Sequence, residues 1–261
     1  MDATLWIAKT GLDAQHTRMS VISNNLANVN TMGFKRDRAV FEDLLYQKVR
    51  QPGAQTSVNT ESPTGMMIGT GTRVTATEKI HTQGNMVQTQ GALDIAIDGS
   101  GFFQVLRPDN TIGYSRDGAF KMSSEGQLVT SNGMLLQPEI TIPSDANSIT
   151  IGADGTISVT QYGQPQASVI GNIQVAMFMN PAGLQPLGQN LYAETGSSGT
   201  AQLMTPSESG AGQLMQGALE ASNVNVVEEM VNMIEAQRAY EVNSKSIAAA
   251  DQMLKFVNNN L

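Results

Sequence analysis

Each end of this chain carries a seven-residue apolar repeat, and the residues between the ends lack that pattern. The N-terminal repeat alternates spacings of four and three and contains Met1, Leu5, Ala8, Leu12, Gln15, Met19, Ile22, Leu26 and Val29. The C-terminal repeat alternates in the same way and contains Met233, Ala236, Tyr240, Asn243, Ile247, Ala250, Leu254 and Val257. Side chains at this spacing form a narrow seam along one face of a helix, which is buried by packing against other helices. Both ends are therefore predicted to be helices that pack on helices.

The predicted helices span about residues 4–28 and 226–257. Asn225, with Glu228 three residues later, has the pattern of a helix N-cap. Neither helix can cover its own seam, and most helical stability in water comes from tertiary packing. The seams are covered either by each other within one chain or by the helices of other copies. In the second case the ends fold on association.

Each seam contains one polar residue, Gln15 or Asn243. A single polar residue in an apolar seam fixes the register of packing at some loss of stability. We therefore predict a self-assembly seam made of Leu5, Ala8, Leu12, Met19, Ile22, Leu26, Met233, Ala236, Tyr240, Asn243, Ile247, Leu254 and Val257.

Between the helices, short runs rich in Ile, Val, Phe and Thr are separated by turn signals. Asp-Gly and Asn-Gly pairs at 117–118, 132–133 and 154–155 favour hairpins, because their positive φ angles match the twist of the strands. The predicted strands span residues 95–97, 102–106, 127–130, 139–142, 149–151, 156–160 and 173–179. The predicted fold class is α+β, with a discontinuous coiled-coil domain of paired terminal helices and a central all-β domain.

Two stretches, residues 51–71 and 194–212, are rich in small and polar residues and poor in large apolar ones. Neither can support a core, so each is predicted to be an arm, a linker or a loop. The predicted organisation is an N-terminal helix at 1–30, a connecting segment with an extended arm at 31–71, a central β domain at 72–217, and a C-terminal helix at 218–261 that pairs with the first.

Composition argues against several classes of function. The formal net charge is −8, unlike the basic footprint of a nucleic-acid-binding protein. No apolar run approaches the roughly 20 residues that span a bilayer, and the first thirty residues lack the pattern of a Sec signal. The chain has no cysteine and only His16 and His81 as histidines, which are expected to be solvated. We therefore predict no cofactor, no metal, no membrane insertion and no catalytic site.

Three segments together resemble the bacterial flagellar rod and hook proteins. Residues 23–36, which include Asn24, Asn25, Asn28, Gly33, Phe34 and Lys35, resemble the N-terminal signature of that family. Residues 222–254 resemble its C-terminal signature, and residues 98–133 are similar to its shared β domain. We expect the asparagines to close the first helix by satisfying backbone carbonyls, and Gly33 to permit a sharp exit toward Phe34.

Within that family, residues 41–47 and the 51–71 insertion most resemble the distal-rod branch. The resemblance implies that the insertion braces neighbouring subunits, so that the distal rod is straight and stiff. Proximal rod proteins are the nearer alternative, whereas hook-type axial proteins are longer and carry an additional outer domain.

The resemblance implies a structural subunit that self-assembles into a rigid helical tube, transmits torque from motor to hook, and forms part of the export-channel wall. The implied partners are further copies of the chain, proximal rod subunits, hook-side axial proteins and ring bushings. The implied location is the basal body, reached through the flagellar type III export apparatus. Two rival classes are a secreted β-rich binding module or adhesin, and a carbohydrate-active enzyme that acts on peptidoglycan.

Overall fold

The computed structural model describes residues 3–51, 55–57, 60–61, 64–162, 166–208 and 210–259, with only the backbone described at 55–57, 60–61 and 257–259. The chain forms two compact units. Unit 1 contains residues 1–27, 37–78 and 225–261, and unit 2 contains residues 28–36 and 79–224. The chain therefore crosses between the units four times.

Two long helices belong to unit 1: α1 at Ala3–Ala27 and α2 at Val226–Asn259. The predicted start of α2 is confirmed. Asn225 caps it, because its Oδ1 accepts the backbone N–H groups of Val227 and Glu228 at 3.1 and 3.5 Å. Neither helix, over the residues described, is long and apolar enough to cross a membrane.

The helices pack against each other in antiparallel order. An added Cβ on Gly11 would lie 3.0 Å from Nδ2 of Asn243, so the backbones approach closely there. Further along, Arg18 Nη2 donates to Glu235 Oε2 at 3.4 Å, and Asn25 Nδ2 donates to Glu229 Oε2 at 3.3 Å. Residues later in α1 therefore contact residues correspondingly earlier in α2. On that register the start of α1 lies opposite about residue 251, so the last turns of α2 extend beyond α1.

The strands of the first unit form a ribbon that runs outward and back, which we call the arm (residues 37–78). Its strands are β1 Asp37–Asp43, β2 Gln47–Arg50, β3 Gln55–Ser57, β4 Thr60–Glu61, β5 Met66–Ile68 and β6 Thr72–Lys79. They pair in nested fashion, β1 with β6, β2 with β5 and β3 with β4. The arm therefore begins before the predicted 51–71 segment and ends after it. The sequence placed residues 72–79 at the start of the central domain, but they form β6, which pairs with β1.

Unit 2 is almost entirely β structure. Its strands are β7 Met86–Gln88, β8 Ile95–Asp98, β9 Phe103–Leu106, β10 Ile112–Ser115, β11 Lys121–Met122, β12 Leu128–Val129, β13 Leu135–Gln137, β14 Ala146–Ile151, β15 Thr156–Gln161, β16 Ser168–Asn172, β17 Val175–Met177, β18 Gln185–Gly188, β19 Leu191–Ala193, β20 Gln202–Met204, β21 Gln213–Gln216 and β22 Ala218–Glu220. A short 3-10 helix spans Pro181–Gly183. The predicted α+β class, with paired terminal helices and a central β domain, is confirmed.

The sheets of unit 2 enclose one main apolar core. A seven-stranded sheet has the order β11-β12-β13-β9-β10-β19-β18, and a three-stranded sheet has the order β14-β15-β16. Three further pairs are β17 with β20, β8 with β21, and β7 with β22. Fully buried members of the core include Ile95, Phe103, Ile157 and Ile173. Burial of such side chains is the main term that stabilises a β domain of this size.

Two of the predicted turns form hairpins. Asn132-Gly133 joins β12 to β13, and Asp154-Gly155 joins β14 to β15; both glycines have positive φ, 80° and 86°. Gly118 has another role, because β10 and β11 do not pair and a Cβ there would lie 1.6 Å from the carbonyl oxygen of Ile95. The glycine is needed there for close approach rather than for a hairpin.

The predicted strand at residues 139–142 is wrong. That segment makes a single isolated bridge, Thr141 with Gln127, and the strand forms earlier, at β13. Ile140 and Ile142 are buried, which explains the alternating apolar pattern. Side-chain burial alone produced the signal, without a ladder of backbone hydrogen bonds.

Candidate assembly surface

The predicted seam lies largely between α1 and α2 of the same chain. Ala8, Ile22 and Ala236 are buried, whereas Leu5, Leu12, Met19, Leu26, Met233, Asn243 and Ile247 are half-buried. Tyr240 and Leu254 are 40% and 47% exposed. The side chain of Val257 lies outside the described residues. The structure therefore brings the two stripes together, apart from Tyr240 and the end of α2, where Leu254 lies beyond α1.

A second apolar stripe on α2 remains largely exposed within the described part of the chain. We call it the outer stripe: Val227, Met230, Val231 and Ile234, whose exposures range from 49% to 70%. Spacings of three and four residues place these side chains along one helix face. Contiguous exposed apolar surface of this kind typically marks an interaction site. The heptad pattern did not indicate this stripe, because the search for one buried seam leaves a second face unassigned.

Asn25 of the signature links three elements of unit 1. Its Oδ1 accepts the backbone N–H of Asp37 at 2.8 Å, and its Nδ2 donates to the carbonyl oxygen of Asp37 at 2.9 Å and to Glu229. The expectation that Asn25 would satisfy carbonyls at the end of α1 is wrong, because its amide bonds to β1 and α2. Asn24 Nδ2 reaches Asp37 Oδ2 at 3.3 Å, and Asn28 Oδ1 accepts the hydroxyl of Thr31 at 3.2 Å.

Gly33 and Phe34 shape the next part of the signature, in unit 2. Gly33 has φ of 69°, and a Cβ there would lie 2.7 Å from backbone atoms of Arg116 and Asp117. Only glycine fits this position without strain. Phe34 is buried, and the Lys79 ammonium lies 4.9 Å from the centre of its ring.

Lys35 belongs to an ion cluster buried in unit 2, made of Lys35, Arg116 and Glu220. Lys35 Nζ donates to Glu220 Oε1 at 2.5 Å, and Arg116 Nη1 donates to Glu220 Oε2 at 3.3 Å. The side chains of Lys35 and Glu220 have no exposed surface, and that of Arg116 is 5% exposed. Two cations thus share one carboxylate inside the protein, where unpaired charge is strongly unfavourable.

Backbone groups supply further hydrogen bonds to this cluster. Lys35 Nζ also donates to the carbonyl oxygen of Thr82 at 2.8 Å, and Glu220 Oε1 also accepts the N–H of Gly84 at 2.8 Å. Arg116 donates to the carbonyl oxygens of Ile97 and Gly99 at 3.2 and 2.6 Å. Burial lowers the pKa of Lys35, and that of Arg116, below the ordinary values, although Glu220 opposes the change.

His81 is not solvated as the sequence suggested. Its ring packs edge-on against Phe102 and Tyr192, with centroid distances of 5.5 and 5.4 Å. Burial, followed by the positive charges of Lys35, Arg116 and Lys79, lowers its pKa from 6.5 to about 4. His81 is therefore neutral at neutral pH. The polar residues that flank it in the sequence gave no sign of this aromatic pocket.

No group of three or more His, Asp or Glu side chains among the described residues could hold a metal ion. The distinctive features are an antiparallel helix pair, an exposed apolar stripe and a buried ion cluster.

Comparison with known proteins identifies the family. The chain is 55% identical over 255 residues to flagellar basal-body rod protein FlgG of Buchnera aphidicola, covering 98% of each chain. The chain belongs to the FlgG family of flagellar basal-body rod proteins. It is 46% identical to the Borreliella burgdorferi FlgG, covering 99% of this chain and 98% of the relative, and 37% identical to the Bacillus subtilis FlgG, covering 97% and 96%.

Family models also match three separate segments, in agreement with the FlgG assignment. The model described as "Flagella basal body rod protein" matches residues 5–35, and "Flagellar basal body rod FlgEFG protein C-terminal" matches residues 215–260. The model described as "Flagellar hook protein FlgE/F/G D1 domain" matches residues 96–159. Lys35, Glu220 and Arg116 each lie in a different one of these segments.

Proposed function

We propose that this protein is a structural subunit of the flagellar distal rod, located in the basal body. The single observation that carries the proposal in this chain is the outer stripe on α2, which remains exposed after α1 and α2 have packed together. Further copies of the chain are its proposed cover. The relatives' name as basal-body rod proteins supports this role.

Assembly is proposed to proceed through contacts that do not close. A contact between different surfaces of identical subunits generates a helical filament unless the rotation closes a ring. In this proposal the seam holds α1 and α2 as one rigid pair, while the outer stripe, Tyr240 and Leu254 make contacts between copies. The resulting tube transmits torque from motor to hook and forms part of the wall of the export channel.

The arm is proposed to brace neighbouring subunits. Leu45 and Val49, on the outgoing half of the ribbon, and Met66 and Met67, on the returning half, are exposed apolar residues. A two-stranded ribbon has no core of its own, so these side chains gain cover only from another surface. Proximal rod proteins, hook-side axial proteins and ring bushings are proposed as further partners, reached after export through the type III apparatus.

A catalytic role is not part of this proposal. A muramidase assay on purified peptidoglycan tests the point directly. Release of fragments above the level of a sample without the protein would contradict a purely structural role.

Electron microscopy of the concentrated protein tests the assembly proposal. Val231→Asp places a charge in the outer stripe, at a position 51% exposed, so the fold should survive. Val169→Asp is the matched control, since Val169 is 65% exposed on β16 of unit 2. The unmodified protein and the control should form long helical tubes, and Val231→Asp should not. Tubes from Val231→Asp, or no tubes from the unmodified protein, would contradict the proposal.

A further inference from the structure

All four crossings between the units are tied together within unit 2. The crossings fall at 27/28, 36/37, 78/79 and 224/225, so residues 28–36, 79–84 and 218–224 are the adjoining segments of unit 2. Ile80 N–H donates to the carbonyl oxygen of Arg36 at 2.9 Å, and Gly33 N–H donates to that of Glu220 at 2.7 Å. Each of these segments therefore bonds to another beside the point where the chain leaves the unit.

Two side chains join all three segments. Asn223 Oδ1 accepts the N–H of Arg36 at 2.8 Å, while its Nδ2 donates to the carbonyl oxygens of Ile80 and Thr82 at 2.8 and 3.1 Å. Glu220 binds Lys35 of the first segment and Gly84 of the second. We call Lys35, Glu220 and Asn223, with these backbone partners, the clamp.

The burial of the Lys35–Glu220 pair makes the clamp difficult to open. Separating Lys35 from Glu220 without admitting water would leave charges uncompensated in the interior, which is far costlier than breaking an exposed ion pair. Hydrogen-bond networks in such surroundings also reinforce one another. The segments therefore open together or remain closed.

We propose that the clamp, which lies within unit 2, holds the four chain crossings together when the subunit carries torque. This proposal rests on the proposed rod function. Force transmitted along the chain between the units must pass through the four crossings. If each were an independent linker, each would stretch and rotate separately. The clamp makes them act as one connection, and Glu220 and Asn223 are its positioning residues.

Two variants loosen the clamp without leaving an unpaired buried charge. Lys35→Met removes one of two cations, and Glu220 keeps Arg116 and the N–H of Gly84 as partners. Asn223→Ala removes the bonds to Arg36, Ile80 and Thr82 at a half-buried position and changes no charge. The control is Val105→Ala, a fully buried core position on β9 that is outside the three clamp segments.

Swimming speed in media of increasing viscosity is the readout, in bacteria that make only the variant subunit. Urea unfolding of each purified protein first establishes that the control loses at least as much stability as the clamp variants. The clamp variants should swim at low viscosity and stop or shed filaments at high viscosity, while Val105→Ala follows the unmodified protein. Absence of rods in the clamp variants alone would contradict the proposal, because the clamp would then be needed for assembly and not for carrying load. The proposal would be overturned if swimming speed fell with viscosity in the same way in the clamp variants and the control.

Failure of the rod function gives a different result. If the unmodified protein builds no rods in these bacteria, the proposed function fails before the clamp is tested. If the unmodified protein supports swimming and Asn223→Ala behaves as the control does, only the clamp proposal fails.

Discussion

At the scale of single residues, charge balance inside unit 2 is the dominant constraint. Glu220 is the only carboxylate bonded to Lys35 and Arg116 in the described structure, and all three are buried. Losing the shared anion leaves two cations facing each other. Losing one cation leaves a balanced pair. The two changes should therefore differ greatly in their effect on stability.

Replacing Glu220 with Gln should lower the free energy of unfolding by about 3–5 kcal/mol, because two buried cations lose their counter-charge. Lys35→Met should cost less, about 1–3 kcal/mol, because the Lys35 hydrogen bonds are lost while Glu220 keeps Arg116 and the carbonyl oxygen of Thr82 keeps Asn223 as partners. Urea unfolding at neutral pH measures both values. A greater loss for Lys35→Met than for Glu220→Gln would show that the cluster is not held by its single anion.

His81 should make the protein sensitive to mild acid. The unfolded chain binds a proton on His81 below its ordinary pKa of 6.5, whereas the folded chain does so only near pH 4. Since the unfolded state binds more protons in this window, stability should fall as the pH decreases from 6.5 to 4, by roughly 3 kcal/mol at most.

Unfolding measured at pH 7 and pH 4.5 tests this sensitivity. His81→Phe keeps an aromatic ring beside Phe102 and Tyr192, so it should show a smaller decrease in stability between the two pH values. His16→Gln, at an exposed position on α1, should keep the full decrease. Equal pH dependence in His81→Phe and the unmodified protein would count against the buried neutral histidine.

The sequence indicated the turn at Gly33 but not the partners of the other signature residues. Gly33 was assigned a turn, and its φ of 69° agrees. Lys35 and Asn25, however, bond to Glu220 and Glu229, which lie 185 and 204 residues further along the chain. A single sequence carries no local signal for such pairs, because the geometry that joins them arises only when the ends of the chain meet.

At the scale of elements, helix predictions were accurate and strand predictions uneven for one physical reason. The seams of α1 and α2 repeat over many turns, so their period is unambiguous. Strands with several buried side chains, such as β9 and β15, also gave a clear signal. The arm did not, because a ribbon without a core imposes little alternation of apolar and polar residues. Its strands β3 and β4 fall in the stretch predicted as an arm, linker or loop.

Gly11 and Asn243 should be energetically coupled, since they meet where α1 and α2 cross. Gly11→Ala gains about 1 kcal/mol of helix propensity but pushes its methyl group against the Asn243 amide. The stabilisation should therefore be larger when Asn243 is also replaced with Ala. A double-mutant cycle of thermal or urea unfolding measures the difference. Strict additivity would mean that the two helices do not contact at these positions in the free protein.

At the scale of the whole molecule, the two units have separate tasks in this account. Unit 1 offers the surfaces for assembly, the outer stripe and the arm, whereas unit 2 holds the crossing segments together. The paired helices partly satisfy the seam that the sequence assigned to contacts between copies. The outer stripe on α2, which the heptad repeat did not indicate, therefore becomes the main proposed contact.

The central claim is that the outer stripe is buried between copies in the rod. Because the chain has no cysteine, Ile234→Cys introduces the only thiol, at a position 49% exposed. Its rate of reaction with a maleimide can be compared between the free protein and assembled rods. The account predicts rapid labelling of the free protein and strong protection in rods. Equal labelling in both states would contradict it.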